Sequence, residues 1–135
     1  MAAPRYPYET RLNILCQPLE LIDEKALADD CAYKWYNQTL CQVNDSVVRL
    51  GVVEGEYHWH KHDNDDEFFY VVEGCLHIDL IDPADPATTQ DNPRTITLNP
   101  RQGVVIPKDV LHRPRAPQRT VMLMVETDTI RPTGS

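Results

Sequence analysis

HWHKHDNDDEFFYVVEG, residues 58–74, is the stretch whose reading decides the fold. Its opening places His58, His60 and His62 at alternate positions, the side-chain period of a β-strand, so an extended backbone puts three imidazoles on one face. A polar turn, Asp63 to Asp66, follows, and Glu67 then opens a run in which Glu67, Phe69 and Val71 alternate with Phe68 and Tyr70. Antiparallel neighbours lie about 4.8 Å apart, so histidines late in the first strand would face a carboxylate early in the second. Imidazole and carboxylate groups that converge suit a divalent transition metal. The spacing alone leaves open which two of the three histidines would join Glu67.

Working outward, most of the chain reads the same way. Alternating or β-branched runs between turn signals predict strands at 33–43, 46–55, 56–62, 67–74, 75–81, 94–98, 103–107 and 120–126. The one good helical pattern is LIDEKALADDC, residues 21–31, with Asp23 placed to cap it. Several short strands at regular spacing predict an all-β sandwich or barrel with a short N-terminal helix. DPADPATTQDNPR, residues 82–94, holds three of the eleven prolines and reads as an exposed loop inside one domain. The expected organisation is a single domain over 1–135, with a barrel core at about 32–127 and an N-terminal segment, 1–31, of strand and helix.

The totals exclude some functions. The net charge of −8, with no local basic run, speaks against nucleic acid and anionic membrane surfaces. No apolar run approaches the roughly 20 residues that cross a bilayer, and MAAPRYPYETRLNILCQ lacks the pattern of a secretory signal. Cys16, Cys31, Cys41 and Cys75 form no CxxC pair, and a domain of 135 residues needs no staples. The expectation is a cytoplasmic protein with reduced thiols.

A fifth histidine completes the pattern. GVVIPKDVLHRPRAP places His112 after a proline-led turn in the last third of the chain, where a ligand from a distant strand can close a site inside a barrel. His60-x-His62, four residues, Glu67, six residues, Gly74 resembles the first signature motif of the cupin superfamily. Pro107-x-Asp109, two residues, His112 resembles its second. WHKHDNDDEFFYVVEG, IPKDVLHRPRA and VMLMVETDTIRPTGS are similar to small single-domain cupins often labelled mannose-6-phosphate isomerase-like. Where the motifs favour glycine, this chain has Arg101 and Asp109, Gly55 lies one residue nearer His60 than usual, and Ala116 replaces an asparagine.

The resemblance implies a double-stranded β-helix, a jelly-roll-like barrel. It implies that His60, His62, Glu67 and His112 hold one divalent transition metal: Fe(II), Mn(II), Ni(II) or Zn(II). It also implies a homodimer and a small polar substrate, with dioxygenase or isomerase chemistry; the alternative is a non-catalytic metal-containing sensor or binding module. His58 is then left over, and is expected deeper in the cavity as a proton-transfer group or as a support for the ligands. Tyr57, Trp59, Phe68 and Tyr70 fall on the opposite face of their strands, and His77 falls outside the core. Arg113 and Arg115 read as a surface pair that could otherwise meet an anionic substrate.

Overall fold

The computed structural model describes residues 7–135. In chain order the elements are β1 (Glu9–Arg11), α1 (Glu24–Asp29), β2 (Trp35–Val43), β3 (Ser46–Glu56), β4 (Glu67–Glu73), β5 (Leu76–Leu80), β6 (Arg94–Leu98), β7 (Gly103–Ile106) and β8 (His112–Thr127). They form one curled sheet in the order β1-β2-β3-β8-β4-β7, with β5 paired to both β6 and β8. All pairings are antiparallel except β1 on β2. This is an all-β jelly-roll barrel with one short outlying helix.

β8 is the spine. Its second half lies between β3 and β4, while its first half lies between β5 and the segment that follows β3. The sequence predicts only residues 120–126 as strand here, because Pro114 and Pro117 interrupt the earlier run. Pro114 pairs with Ile78 of β5, and on its other side its carbonyl accepts from the Tyr57 amide at 2.9 Å. A proline cannot return that bond, so the ladder loses one rung and the strand continues.

Two packing groups follow from alternation on β3. Val53 points into the barrel with Trp35, Tyr57, Phe69, Val71 and Met122. Leu50 and Val52 point outward, against Ala28 of α1, Leu40 and Val121. The helix is shorter than its pattern. Asp23 caps it by accepting from the Ala26 amide at 3.1 Å, so Leu21 and Ile22 lie ahead of it. The 82–94 loop is exposed but tied, with Asp82 accepting from Ala84 and Arg94. All four cysteines are free thiols, and no helix among the described residues is long and apolar enough to cross a membrane.

The histidine segment departs from the sequence reading in two ways. It is not a regular strand: β3 ends at Glu56, and beyond it only His60 makes a β-bridge, to His112. A register shift between Val53 and Gly55, with Gly55 at φ 104°, breaks the alternation just before the histidines. Nor does the segment pair with the strand that follows it, since β4 pairs with β7 and β8 instead. The hairpin logic is therefore wrong. His62 and Glu67 meet because the barrel closes, not because they are rungs of one ladder.

Candidate metal centre

Each member of the cluster is positioned by backbone. His60 and His112 exchange both amide bonds, His60 to the His112 carbonyl at 3.0 Å and the return at 2.9 Å. His62 is pinned by its carbonyl, which accepts from the Asp109 amide at 2.8 Å. Asp109 adopts φ 68° and Arg101 φ 70°, so both non-glycine residues at the motif's glycine positions take the left-handed backbone. Aspartate is among the residues that tolerate it, and here its carboxylate also bonds Lys61 Nζ at 2.6 Å. Glu67 opens β4 and points inward with Phe69 and Val71, as alternation requires.

The four side chains are buried and offer one ligand atom each, all within 4.8 Å of one another. Two of the imidazoles are aimed by their other nitrogen. His60 Nδ1–H donates to the His58 carbonyl at 3.0 Å and His112 Nδ1–H to the Val110 carbonyl at 2.8 Å, which leaves each Nε2 as a lone pair. His62 Nε2 and His112 Nε2 stand 3.6 and 3.5 Å from Glu67 Oε1, too far for a good hydrogen bond. None of these three atoms has a hydrogen-bond partner among the described residues. Atoms about 2.0–2.2 Å from one shared ion stand about 3–3.5 Å apart, so the donor set fits a metal.

The electrostatics agree. Burial, helped by the neighbouring His112, lowers the His60 pKa from 6.5 to about 3, so this imidazole is neutral and able to ligate at ordinary pH. Burial alone would raise the Glu67 carboxyl, yet Glu126, His112 and His62 hold it well below the usual range. Glu126, the next cross-strand neighbour past the Phe68–Val125 pair, moves the other way, raised by burial and by the Glu67 charge. Arg49, only 2% exposed, closes this interior row: it forms an ion pair with Glu126 and donates to Thr39 Oγ1 at 3.0 Å.

Beside the cluster, a cavity of about 330 Å³, including its opening to solvent, is lined by His60 and Glu67 at one end and by Trp35, Tyr57, Phe69 and Met122 along its walls. Tyr57 is a correction. The sequence puts it on the outer face, but it is 7% exposed and stacked on Tyr8, because the Gly55 irregularity shifts the alternation by one. Trp59 stays on the other side, with the Arg113 guanidinium 5.3 Å from its ring.

His58 stands apart from the four. Its Nε2–H donates to the Thr133 carbonyl at 2.7 Å, and Nδ1 lies 3.3 Å from the Tyr8 hydroxyl. Its ring stacks on Tyr57, with centroids 4.5 Å apart. The residues after β8 fold back over this segment: Ser135 donates its amide to the Lys61 carbonyl at 2.9 Å, and Gly134 packs on His60. Arg113 and Arg115 both donate to Asp79, outside the cavity. His77 is partly exposed on the same strand and bonds Thr97 Oγ1 at 2.8 Å. The sequence reading overlooked Asn37, Arg49, Glu126 and the closing tail, although all three side chains lie in phase with inward apolar neighbours.

The model of the cupin domain family matches residues 46–127, which include both motif segments. A curated Bacillus subtilis protein, the uncharacterized protein YdbB, is 41% identical over 101 residues, covering 75% of this chain and 80% of its own length. The crystal structure of a cupin-2 domain containing protein from Shewanella frigidimarina is 31% identical, with TM-score 0.68, covering 79% of this chain and 94% of that one. A hydroquinone 1,2-dioxygenase from a Sphingomonas species shares the fold at 18% identity and TM-score 0.66, covering 84% of this chain and 33% of that one. With its barrel, its two motif segments and a family match across most of the strands, this chain belongs to the cupin family.

Proposed function

We propose that this chain is a metal-dependent enzyme acting on a small molecule, with His60, His62, Glu67 and His112 as the ligands of a divalent transition metal. The observation that carries the reading is the set of three buried, unpartnered atoms, His62 Nε2, Glu67 Oε1 and His112 Nε2, turned toward one point. Leaving a buried polar atom unpaired costs about 1–3 kcal/mol, so three at one point call for a common partner. Three imidazoles and a carboxylate suit Fe(II), Mn(II), Ni(II) or Zn(II). Such an ion, when bound, supplies Lewis acidity and open positions for substrate or O₂. The cavity that ends at His60 and Glu67 gives a substrate access to those positions, which favours an enzyme of dioxygenase or isomerase type over a non-catalytic sensor.

For His58 the bonds to Thr133 and Tyr8 support a positioning role. Its carbonyl aims His60, while its ring nitrogens are turned to the tail and to β1's approach rather than to the ligand atoms. A second copy of this chain is the partner we place against residues 12–22. That arm is anchored by backbone bonds from Leu15 and Cys16 to β2, yet leaves Leu19 and Leu21 in solvent, 105% and 89% exposed.

The test is elemental analysis of protein purified without added metal, followed by competition with a chelator. Wild type should hold close to one equivalent, and Glu67→Gln should bind it more than about 100-fold more weakly, beyond the loss expected for a supporting residue. His58→Ala should stay within about 10- to 100-fold of wild type. A Glu67→Gln protein with full metal would sink the ligand assignment. Metal without O₂ uptake or turnover on any small molecule would move the reading to the sensor.

A further inference from the structure

Along the carbon walls of the cavity one amide has nothing to bond. Asn37 sits on β2 two residues from Trp35, and both line the space. It is 7% exposed, and its Oδ1 has no hydrogen-bond partner among the described residues. A buried amide left unpaired is a cost to the folded state, and such a group asks for a partner the protein does not supply.

The wall opposite Asn37 is built to give way. Its cross-strand partner is Gly51, where a Cβ would lie 2.8 Å from Met122 Cε and 3.2 Å from Met124 Cε. Those two thioether chains fill the room a larger residue would occupy. Methionine chains are unbranched and adaptable, and they make favourable contacts with aromatic rings. Trp35, Tyr57 and Phe69 supply flat faces on the remaining sides.

Charge narrows the ligand further. Arg49 is committed to Glu126, Thr39 and the Ile130 carbonyl. Arg113 and Arg115 are committed to Asp79 on the outside of β5. No side-chain cation among the described residues lines the cavity, so a phosphate group would find no counter-charge there. A volume of about 330 Å³, part of it open to solvent, is at the small end for ligand sites.

We infer that this cavity binds a neutral, flat, ring-sized molecule with two oxygen functions, one presented to the His60–Glu67 end and the other hydrogen-bonded by the Asn37 amide. The inference rests on the metal reading above for the first of those contacts, and stands on Asn37 and the cavity walls for the second. Asn37 thereby sets specificity: a primary amide both donates and accepts, so it serves a hydroxyl or a carbonyl.

The probes are hydroquinone, resorcinol and catechol, with phenol as the single-hydroxyl control and glucose 6-phosphate as the charged one. Binding to protein loaded with redox-inert Zn(II) is followed by calorimetry and by the fluorescence of Trp35, which lines the site. At least one dihydroxybenzene should bind about 5- to 10-fold more tightly than phenol, the worth of one neutral hydrogen bond. Asn37→Leu, nearly isosteric, should erase that preference, leave phenol unchanged and raise the melting temperature. Asn37→Ser, which keeps a polar group of smaller size, should retain part of the preference and guards against a folding defect. Equal preference in wild type and Asn37→Leu overturns the inference, as does tighter binding of glucose 6-phosphate than of any ring. Repeating the titration on metal-free Glu67→Gln separates the two readings. A preference that depends on Asn37 in that protein keeps this inference even if wild type proves to bind no metal.

Discussion

Asp79 offers the sharpest quantitative test of how the barrel is held around its site. It is 1% exposed on β5, and its two oxygens accept from Arg115 Nε at 2.8 Å, Arg113 Nη2 at 2.9 Å and Thr95 Oγ1 at 2.7 Å. These bonds tie β6 and β8 to β5 one register step from the Leu80–His112 pair. Burial alone would raise the carboxyl, but Arg115, Thr95 and Arg113 together bring its pKa from 3.8 down to about 2. At about 1.4 kcal/mol per factor of ten in acidity, that difference is worth about 2 kcal/mol of folding stability. The sign follows from the direction. A carboxyl whose pKa is depressed by folding stabilises fully above its unfolded value, near pH 4, and loses that contribution as pH falls through about 2.

Asp79→Asn removes the charge and keeps the shape. At pH 7 it should cost about 2–3 kcal/mol, the low end for a broken buried pair, because the two arginines are 25% and 33% exposed and regain water. Urea unfolding followed by circular dichroism at pH 7, 5, 4, 3 and 2.5 should show the gap between the two proteins steady down to about pH 4 and closing below it. A gap that is the same at pH 7 and 2.5, or smaller than about 1 kcal/mol at pH 7, would refute the clamp and return both arginines to the list of groups available to an anion.

Two other outcomes are expected. Gly134 has φ 104°, and a Cβ there would lie 2.8 Å from His60 Cβ, so Gly134→Ala should lift the closing segment and weaken metal binding by about 10-fold, measured by chelator competition; unchanged affinity would mean the segment merely lies on the site. Light scattering should find a dimer that Leu19→Ser with Leu21→Ser shifts toward monomer, and a wild-type monomer at micromolar concentration would remove the second copy from the exposed arm.

What the sequence made legible was periodicity, and what it hid was every departure from it. Glu67, Phe69 and Val71 face inward as alternation requires, and Asp23 caps the helix as its residue type requires. The approach to the histidines was misread because one irregularity at Gly55 resets the phase, and no pattern in GEYHWHKH announces it. β8 was read as half its length because prolines argue against strand, although each removes only one donor. Arg49 and Glu126 could have been found. Arg49 is in phase with Gly51 and Val53, and Glu126 with Met122 and Met124, so both were charged residues on faces that otherwise point inward. A charge on an interior face is a stronger signal than a charge in a turn, since burial must be compensated.

That compensation bears on why the centre lies where it does. Three unpartnered ligand atoms, a carboxylate held ionised and a neutral imidazole all burden the metal-free fold, and they gather where β8 begins and β4 begins. A fold tolerates such a cluster only if rigid neighbours hold it, and here they are the paired amides of His60 and His112, the Asp109 turn and the Asp79 clamp. Relieving the cluster is therefore coupled to stability. Any ion that binds the folded state alone must stabilise it, by about 2.7 kcal/mol at a hundredfold excess over its dissociation constant. The same coupling explains why the polar row continues inward through Glu126 to Arg49 rather than ending at Glu67. A second buried acid beside the first would be untenable without a guanidinium behind it, and Arg49 is placed on β3 where Glu126 can reach it.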